Sequence, residues 1–200
     1  MKIFNNLTKT FLAAALFSSS LVTNVGAGDF GDSIPQITIS NTTGLSFGSF
    51  NLSDPATLTI DADDTLSVSA GTIYEDDIGT VATGDYTISA GGGTDIFMKI
   101  DDVTLTFAGS STTVTFGALI DSESGHCVIG LTSMDASTGG TCAVASGSNP
   151  GTAANVNIKV HGVTTSIDPE NDFGAISGSM TLAVSYGSSY SANHGATDTF

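Results

Sequence analysis

Strict alternation of apolar and polar residues near the C-terminus constrains the fold of this chain more than any other feature of its sequence. In residues 177–186, Met180, Leu182, Val184 and Tyr186 occupy every second position, and Thr, Ala and Ser fill the positions between them. Successive side chains of a β-strand point to opposite faces, so this spacing places the four larger residues on one face. The segment is therefore predicted to be a strand with one face on a core and the other in water.

The same pattern recurs through the preceding sequence. Val, Ile, Leu and Phe alternate with Thr and Ser in short runs, and Gly, Asn, Asp or Pro interrupt these runs about every 8 to 14 residues. Outside the N-terminal segment, no longer stretch has the apolar period of about 3.6 residues that marks a helix. We therefore predict an all-β fold, an immunoglobulin-like antiparallel β-sandwich of about ten short strands. It would form a single domain over residues 28–187, followed by a flexible polar tail over residues 188–200.

Residues 1–27 have the organisation of a secretory signal peptide. Lys2 and Lys9 are basic, residues 11–17 are apolar, and Val-Gly-Ala at 25–27 fits a small-residue cleavage site. The apolar run is shorter than the roughly 20 residues that a membrane-spanning helix needs. We expect this segment to be removed, leaving a mature protein without a membrane span. The predicted location is extracellular, at the bacterial cell surface or in the periplasm.

The mature sequence is strongly acidic. Lys99 and Lys159 face twenty Asp and Glu residues, which leaves a net charge of −18 after the signal peptide and its two lysines are removed. Proteins bind nucleic acids and anionic lipids mainly by neutralising phosphates with Lys and Arg. The charge therefore excludes nucleic acid as a partner, and the absence of Arg removes the usual bidentate ligand for phosphate.

Two cysteines, Cys127 and Cys142, lie on either side of a Thr-Gly-Gly-Thr turn signal. In an exported protein such a pair is predicted to form a disulfide that joins neighbouring strands across the turn. Closing a loop of this length would stabilise the fold by about 3 kcal/mol, if the effect is on the entropy of the unfolded chain.

One hairpin is predicted to carry an acidic tip. Apolar and polar residues alternate in residues 57–60 and again in residues 65–70, on either side of an Asp-Ala-Asp-Asp sequence. Asp61, Asp63 and Asp64 could present several carboxylate oxygens, which are the ligands that Ca²⁺ prefers. Asp also favours turns for its own conformational reasons. A Ca²⁺ site at these three residues and an ordinary solvated turn are both open interpretations.

A second hairpin is predicted where the alternating runs 96–100 and 103–107 meet at two consecutive aspartates.

The sequence contains no convincing catalytic or zinc-binding constellation. His126, His161 and His194 are far apart, and no His-x-His or His-x-x-x-His pair is present. We expect a protein without enzymatic activity.

Short segments distributed over nearly the whole mature chain carry a family resemblance. They are Ile-Thr-Ile at 37–39, Leu-Ser-Phe-Gly-Ser-Phe at 45–50, the strand at 66–71, Gly-Asp-Tyr-Thr-Ile at 84–88 and the strand at 178–186. Together they resemble the bacterial domain-of-unknown-function family 4402, whose members are exported, Gly- and Thr-rich β-sandwich proteins similar to fimbrial subunits. The cysteine pair and residues 120–151 depart from that pattern. The resemblance implies a surface or pilus-like role and no catalytic residues.

Kinship with pilins would imply assembly by strand addition, in which an extended segment of one subunit completes the sheet of the next. The candidate donor is the mature N-terminus, with Ile37 and Ile39 as the inserting side chains. The alternative is that this segment is the first strand of its own domain.

Two functions follow from these observations. The first is an exported structural or adhesive surface protein, a pilus- or matrix-like subunit that associates with itself or with other surface subunits. The second is a monomeric Ca²⁺-dependent adhesin or carbohydrate-binding module.

Overall fold

The computed structural model describes residues 11–12, 23–24, 35–74, 80–122, 134–135, 139–143, 153–188 and 195–199. These residues form β-strands and connecting segments, and they contain no helix. The strands are β1 (Phe11–Leu12), β2 (Thr23–Asn24), β3 (Thr38–Thr43), β4 (Ser46–Phe47), β5 (Ser49–Leu52), β6 (Thr57–Ile60), β7 (Leu66–Ser69), β8 (Ile73–Tyr74), β9 (Val81–Ala82), β10 (Gly84–Gly91), β11 (Asp95–Ile100), β12 (Val103–Phe107), β13 (Thr113–Ser122), β14 (Met134–Asp135), β15 (Gly140–Ala143), β16 (Ala153–Thr164), β17 (Ile176–Ser177), β18 (Thr181–Tyr186) and β19 (Gly195–Thr199).

Two antiparallel sheets contain most of these strands. The large sheet has the order β17-β12-β13-β16-β10-β3, with β6 also paired to β16 and to β7, and β14 paired to β13. The second sheet has the order β15-β11-β18-β19-β2. Two smaller groups, β1-β5-β8 and β4-β9, complete the described pairings. The prediction of an all-β protein with antiparallel sheets is confirmed, and the arrangement is compatible with a β-sandwich.

Alternation in the sequence correctly predicts which side chains enter the core. In β11, Ile96, Met98 and Ile100 are fully buried. In β18, Leu182 and Val184 are fully buried and Tyr186 is half-buried. Side chains of this kind each contribute about 1.5–3 kcal/mol when they leave water completely. The buried residues of both sheets form one connected hydrophobic core.

The predicted hairpin at Asp101 and Asp102 is wrong. Strand β11 pairs with β15 and β18 in the second sheet, whereas β12 pairs with β13 and β17 in the large sheet. The favoured two-residue hairpin turn of type I′ needs a positive φ at both central residues, which is why Asn-Gly and Asp-Gly are common there. Neither aspartate has a positive φ. The pair therefore carries the chain from one sheet to the other.

The predicted flexible tail contains a strand of the second sheet. Strand β19 pairs antiparallel with β18, and Thr199 lies opposite Thr181 with their hydroxyl groups 2.9 Å apart. Ala196 is buried against the core. Polar composition does not prevent a strand here, because β19 is paired with β18 and β2 and is held largely by main-chain hydrogen bonds, which any side chain permits.

The hydroxyl group of Tyr186 joins the two sheets. It accepts a hydrogen bond of 2.7 Å from the amide of Gly91, at the end of β10, and donates one of 2.5 Å to the carbonyl of Pro35, just before β3. Burial raises the pKa of the phenol, and the Gly91 amide acts in the opposite direction. The two bonds fasten the start of β3 and the end of β10, which are neighbours in the large sheet, to a strand of the second sheet.

We predict that Tyr186→Phe removes an alkaline limb from the stability profile. The folded state holds the phenolic proton more tightly than the unfolded state, whose pKa is near 10.0. This stabilisation is complete below that pH and is lost as pH rises through the folded pKa. The free energy of unfolding, measured by urea denaturation from about pH 8 to 11, should fall more steeply in the unmodified protein than in the variant. Parallel profiles would contradict the prediction.

Two glycines on the paired strands β13 and β16, Gly117 opposite Val163 and Gly162 opposite Ala118, differ in how much space surrounds them. At Gly162, φ is +151° and an added Cβ would lie 2.2 Å from the carbonyl oxygen of Gly117. At Gly117 itself, the nearest atom to an added Cβ would be 3.8 Å away. Of these two positions, Gly162 is the one that requires glycine, because of its conformation and its surroundings.

We predict that Gly162→Ala lowers the free energy of unfolding by about 3 kcal/mol, from backbone strain and overpacking together. Gly117→Ala is the matched control on the facing strand and should change stability by less than about 1 kcal/mol. Chemical denaturation of both variants checks the difference. Equal effects would show that the close approach at Gly162 does not limit stability.

Candidate functional site

The predicted hairpin with an acidic tip is confirmed. Strands β6 and β7 pair antiparallel, with Ile60 opposite Leu66. The turn is closed by the amide of Asp61, which donates to the Thr65 carbonyl at 2.9 Å, and by the amide of Asp64, which donates to the Asp61 carbonyl at 3.1 Å. Asp64 has a φ of +64°. Asp tolerates this left-handed conformation better than most residues, which explains its place in the turn.

The carboxylate of Asp64 holds the hairpin tip against Thr83, the residue immediately before β10. Its Oδ1 atom accepts hydrogen bonds from the amide of Thr83 at 2.7 Å and from the Thr83 hydroxyl at 2.8 Å. The hydroxyl also lies 3.0 Å from Oδ1 of Asp85. Thr83 is fully buried. The Thr83 amide is the main reason that the pKa of Asp64 lies below its ordinary value, and Lys159 adds to the effect.

Lys159 lies among several carboxylates. Its ammonium group is 3.7 Å from Oδ2 of Asp64. Along β16 it occupies the position opposite Asp85 of β10 on one side and Asp121 of β13 on the other. Opposite charges in facing positions of a sheet attract, so Lys159 offsets part of the repulsion among the three aspartates.

The predicted Ca²⁺ site at Asp61, Asp63 and Asp64 includes one carboxylate that already has partners within the fold. Asp64 directs its carboxylate to Thr83 and Lys159. Within the residues that the structure describes, no group of three or more His, Cys, Asp or Glu side chains is placed to hold a metal ion. The Ca²⁺ site and the ordinary solvated turn therefore both stay predictions for this tip.

Of the two cysteines in the predicted disulfide, the structure describes one, Cys142. Cys142 is fully buried in β15, opposite Ile96 of β11. Cys127 lies outside the described residues, so its link to Cys142 stays a prediction.

Two of the three histidines, His126 and His194, also lie outside the described residues. His161 is buried in β16, and its Nε2 atom has no hydrogen-bond partner.

A Gly-x-Ser-x-Gly spacing at residues 44–48 was missed by sequence reasoning. Such a spacing marks the nucleophile of many hydrolases when the serine lies in a tight turn between a strand and a helix. Here Ser46 lies in β4, its hydroxyl donates to the Thr80 carbonyl at 2.9 Å, and the amide of Gly48 donates to it at 3.2 Å. The next element is strand β5 rather than a helix. Ser46 therefore lacks the geometry of a nucleophile elbow.

The predicted strand donor is part of the protein's own large sheet. Ile37 and Ile39 are buried in the core, with 3% and 2% of their surfaces exposed. Strand β3 pairs antiparallel with β10, and Ile39 lies opposite Ile88. This is the arrangement expected if the segment is the first strand of its own domain. In the described part of the chain, β3 ends the large sheet, so its outer side is a sheet edge.

Comparison with known proteins gives no match to this chain, whether with family models, curated proteins or solved structures. The resemblance to family 4402 therefore stays a prediction. No helix in the described residues is long and apolar enough to cross a membrane.

We predict that Asp64→Asn destabilises the protein at neutral pH and flattens the acid limb of its stability profile. Asn keeps the tolerance for a left-handed backbone but loses the charged acceptor. Because Asp64 is partly exposed, the loss should be about 1 kcal/mol. The folded pKa lies below 3.8, so the stabilisation is complete above that pH and is lost as pH falls through the folded pKa.

Asp63→Asn is the control for this experiment, because it removes one negative charge from the same turn at an exposed position. Urea denaturation between about pH 2.5 and 7 checks both variants. If Asp63→Asn flattened the acid limb as much as Asp64→Asn, general charge repulsion would explain the effect and the specific role of Thr83 would be contradicted.

Proposed function

We propose that this chain is an exported structural or adhesive protein of the bacterial cell surface, a pilus- or matrix-like subunit that assembles by strand addition. Its immunoglobulin-like sandwich, with a Cys127–Cys142 disulfide, would be the folded unit. In strand addition, main-chain hydrogen bonds at a sheet edge supply affinity, and alternate side chains supply specificity.

One observation supports this proposal above the others. The large sheet ends, among the described residues, in a six-residue strand without a charged side chain, β3. A strand at a sheet edge presents unpaired amide and carbonyl groups to any further strand, and natural proteins usually protect such edges with charges, Pro or bulges. Strand β3 has neither charge nor Pro, and the register shift in its pairing with β10 is confined to its end, between Asn41 and Thr43, so the rest of its edge is suited to pairing with another chain.

Burial of Ile37 and Ile39 changes the part that β3 would play. Both side chains belong to the core of their own domain. Donating them to another subunit would leave an unfilled space in that core, at a cost of about 2–5 kcal/mol for each side chain. In our proposal β3 therefore accepts an added strand rather than supplying one.

The remaining surface suits a protein that works outside the cell by contact rather than by chemistry. Exposed strand positions are largely Thr and Ser, and the sequence has a large excess of acidic residues. Such a surface keeps an exported β-protein soluble, because like charges oppose non-specific association. The N-terminal residues 1–27 supply the export signal.

The proposal is tested with material sheared from the surface of the native cells. We expect an unboiled denaturing gel to show a ladder of oligomers that collapses to the monomer on boiling without reductant, since strand-linked subunits separate when they unfold. A ladder that collapsed only with reductant would show disulfide-linked chains and contradict strand addition.

An abundant single monomer band under all conditions would contradict the subunit function altogether. It would favour the second function, the monomeric Ca²⁺-dependent adhesin or carbohydrate-binding module. Thermal unfolding with added Ca²⁺ or with a chelator would then decide whether that function requires the ion.

A further inference from the structure

We infer that residues 1–27, called the leader segment below, keep the uncleaved chain from assembling, because two short strands of this segment cover sheet edges that its removal opens. The inference rests on the proposed function, since it concerns how assembly of the exported subunit is regulated.

Both described strands of the leader segment pair with the remainder of the chain. Strand β2 lies at the end of the second sheet, antiparallel to β19, with Asn24 opposite Ala196. Strand β1 pairs antiparallel with β5, with Phe11 opposite Phe50. The leader segment thus takes the place of an edge strand in two separate sheets.

Removal of the leader segment changes the edges of both sheets. Among the described strands, β19 pairs with β18 and β2, and β5 pairs with β1 and β8. Cleavage after residue 27 takes away β1 and β2, so β19 and β5 each lose the strand on one side. A sheet edge presents amide and carbonyl groups that a strand of another chain can bind.

The edge opened at β19 lies on the side of the domain where we propose that assembly occurs. Strand β19 lies next to β3, the strand that accepts an added strand in our proposed function. Strand β2 pairs with the side of β19 that faces away from β18, so the second sheet continues past β19 where the large sheet ends at β3. The leader segment therefore covers β19 and also stands beside the β3 edge.

Charge favours contact between the leader segment and the rest of its own chain. The leader segment contains Lys2 and Lys9 and no acidic residue, so its net charge is +2. Residues 28–200 contain 2 lysines and 20 acidic residues, and 2 minus 20 gives a net charge of −18. Opposite charges attract, most strongly at low ionic strength, whereas two mature chains repel each other.

Covalent linkage gives the leader segment a further advantage over a strand from another subunit. Residues 25–37 join β2 to β3, so the pairing of β2 is intramolecular. A segment on a short linker has an effective concentration in the millimolar range, and a strand of another subunit at micromolar concentration competes poorly with it. A chain that folds before cleavage therefore stays single, and assembly is confined to chains that have lost the leader segment.

The experiment compares the full chain with residues 28–200, each refolded from urea at the same protein concentration. We expect the β19 amides that point away from β18 to exchange their hydrogens at least about tenfold faster without the leader segment, since β2 protects them only while it is present. On an unboiled denaturing gel, residues 28–200 should give the oligomer ladder and the full chain a monomer band.

Thr23→Pro combined with Asn24→Pro in the full chain tests β2 itself. Proline has no amide hydrogen, and replacing both residues removes whichever donor faces β19. This variant should exchange and assemble as residues 28–200 do, although its leader segment is still attached. Asn5→Pro combined with Asn6→Pro is the matched control, because it adds two prolines to the leader segment outside both described pairings. The control should behave as the full chain does.

Neither pair of substitutions alters residues 28–200, so the mature domain folds from an unchanged sequence in every sample. Equal exchange of β19 with and without the leader segment would overturn the inference. A Thr23→Pro and Asn24→Pro variant that behaves as the full chain does, or equal effects of the two proline pairs, would overturn it as well.

The two proposals fail in different ways. If the full chain formed oligomers as readily as residues 28–200 do, the subunit function would stand and the role of the leader segment would be overturned. If the leader segment protected β19 but residues 28–200 stayed monomeric, the subunit function would be contradicted, and the regulatory role would fail with it.

Discussion

Main-chain pairing along β16 is the interaction on which the large sheet depends. Strand β13 pairs with it on one side, and β10 and then β6 pair with it on the other. The change from β10 to β6 occurs near Gly162, where the chain passes close to the carbonyl of Gly117. The buried Thr164 hydroxyl then accepts a hydrogen bond of 3.0 Å from the amide of Leu58, which fixes β6 in place. Strand β16 therefore positions the β6–β7 hairpin, and it also carries Lys159, which contacts the tip of that hairpin.

Acidic side chains have a structural use in this protein as well as a solubilising one. Asp64 satisfies the amide and the hydroxyl of a buried threonine, and Lys159 partly neutralises the aspartates around it. Lys99, the other lysine outside the predicted signal peptide, lies 2.6 Å from Asp101. With so few cations, most acidic groups repel one another, and the fold tolerates this because most of the acidic residues that the structure describes are exposed.

Strand β3 lies in one of the uncharged stretches of this acidic chain, residues 33–53. Strand addition needs main chains to approach closely, and an acidic surface opposes such an approach everywhere except where charges are absent. Tyr186 links this edge to the second sheet through Pro35 and Gly91. The edge is therefore a rigid part of the domain, which distinguishes it from a free N-terminal arm.

Local pattern in the sequence determined the fold class, the faces of the strands and the β6–β7 hairpin, because alternation and turn residues act between neighbours along the chain. It did not determine which strands pair. The runs on either side of Asp101 and Asp102 resemble a hairpin in sequence, yet they belong to different sheets. The polar composition of residues 188–200 likewise did not indicate β19. The residues that bind the Asp64 carboxylate, Thr83 and Lys159, were not predicted because they are distant from Asp64 in the sequence. Pairing between distant strands, and the burial that accompanies it, arises from the packing of the whole core, so only the tertiary structure could decide it.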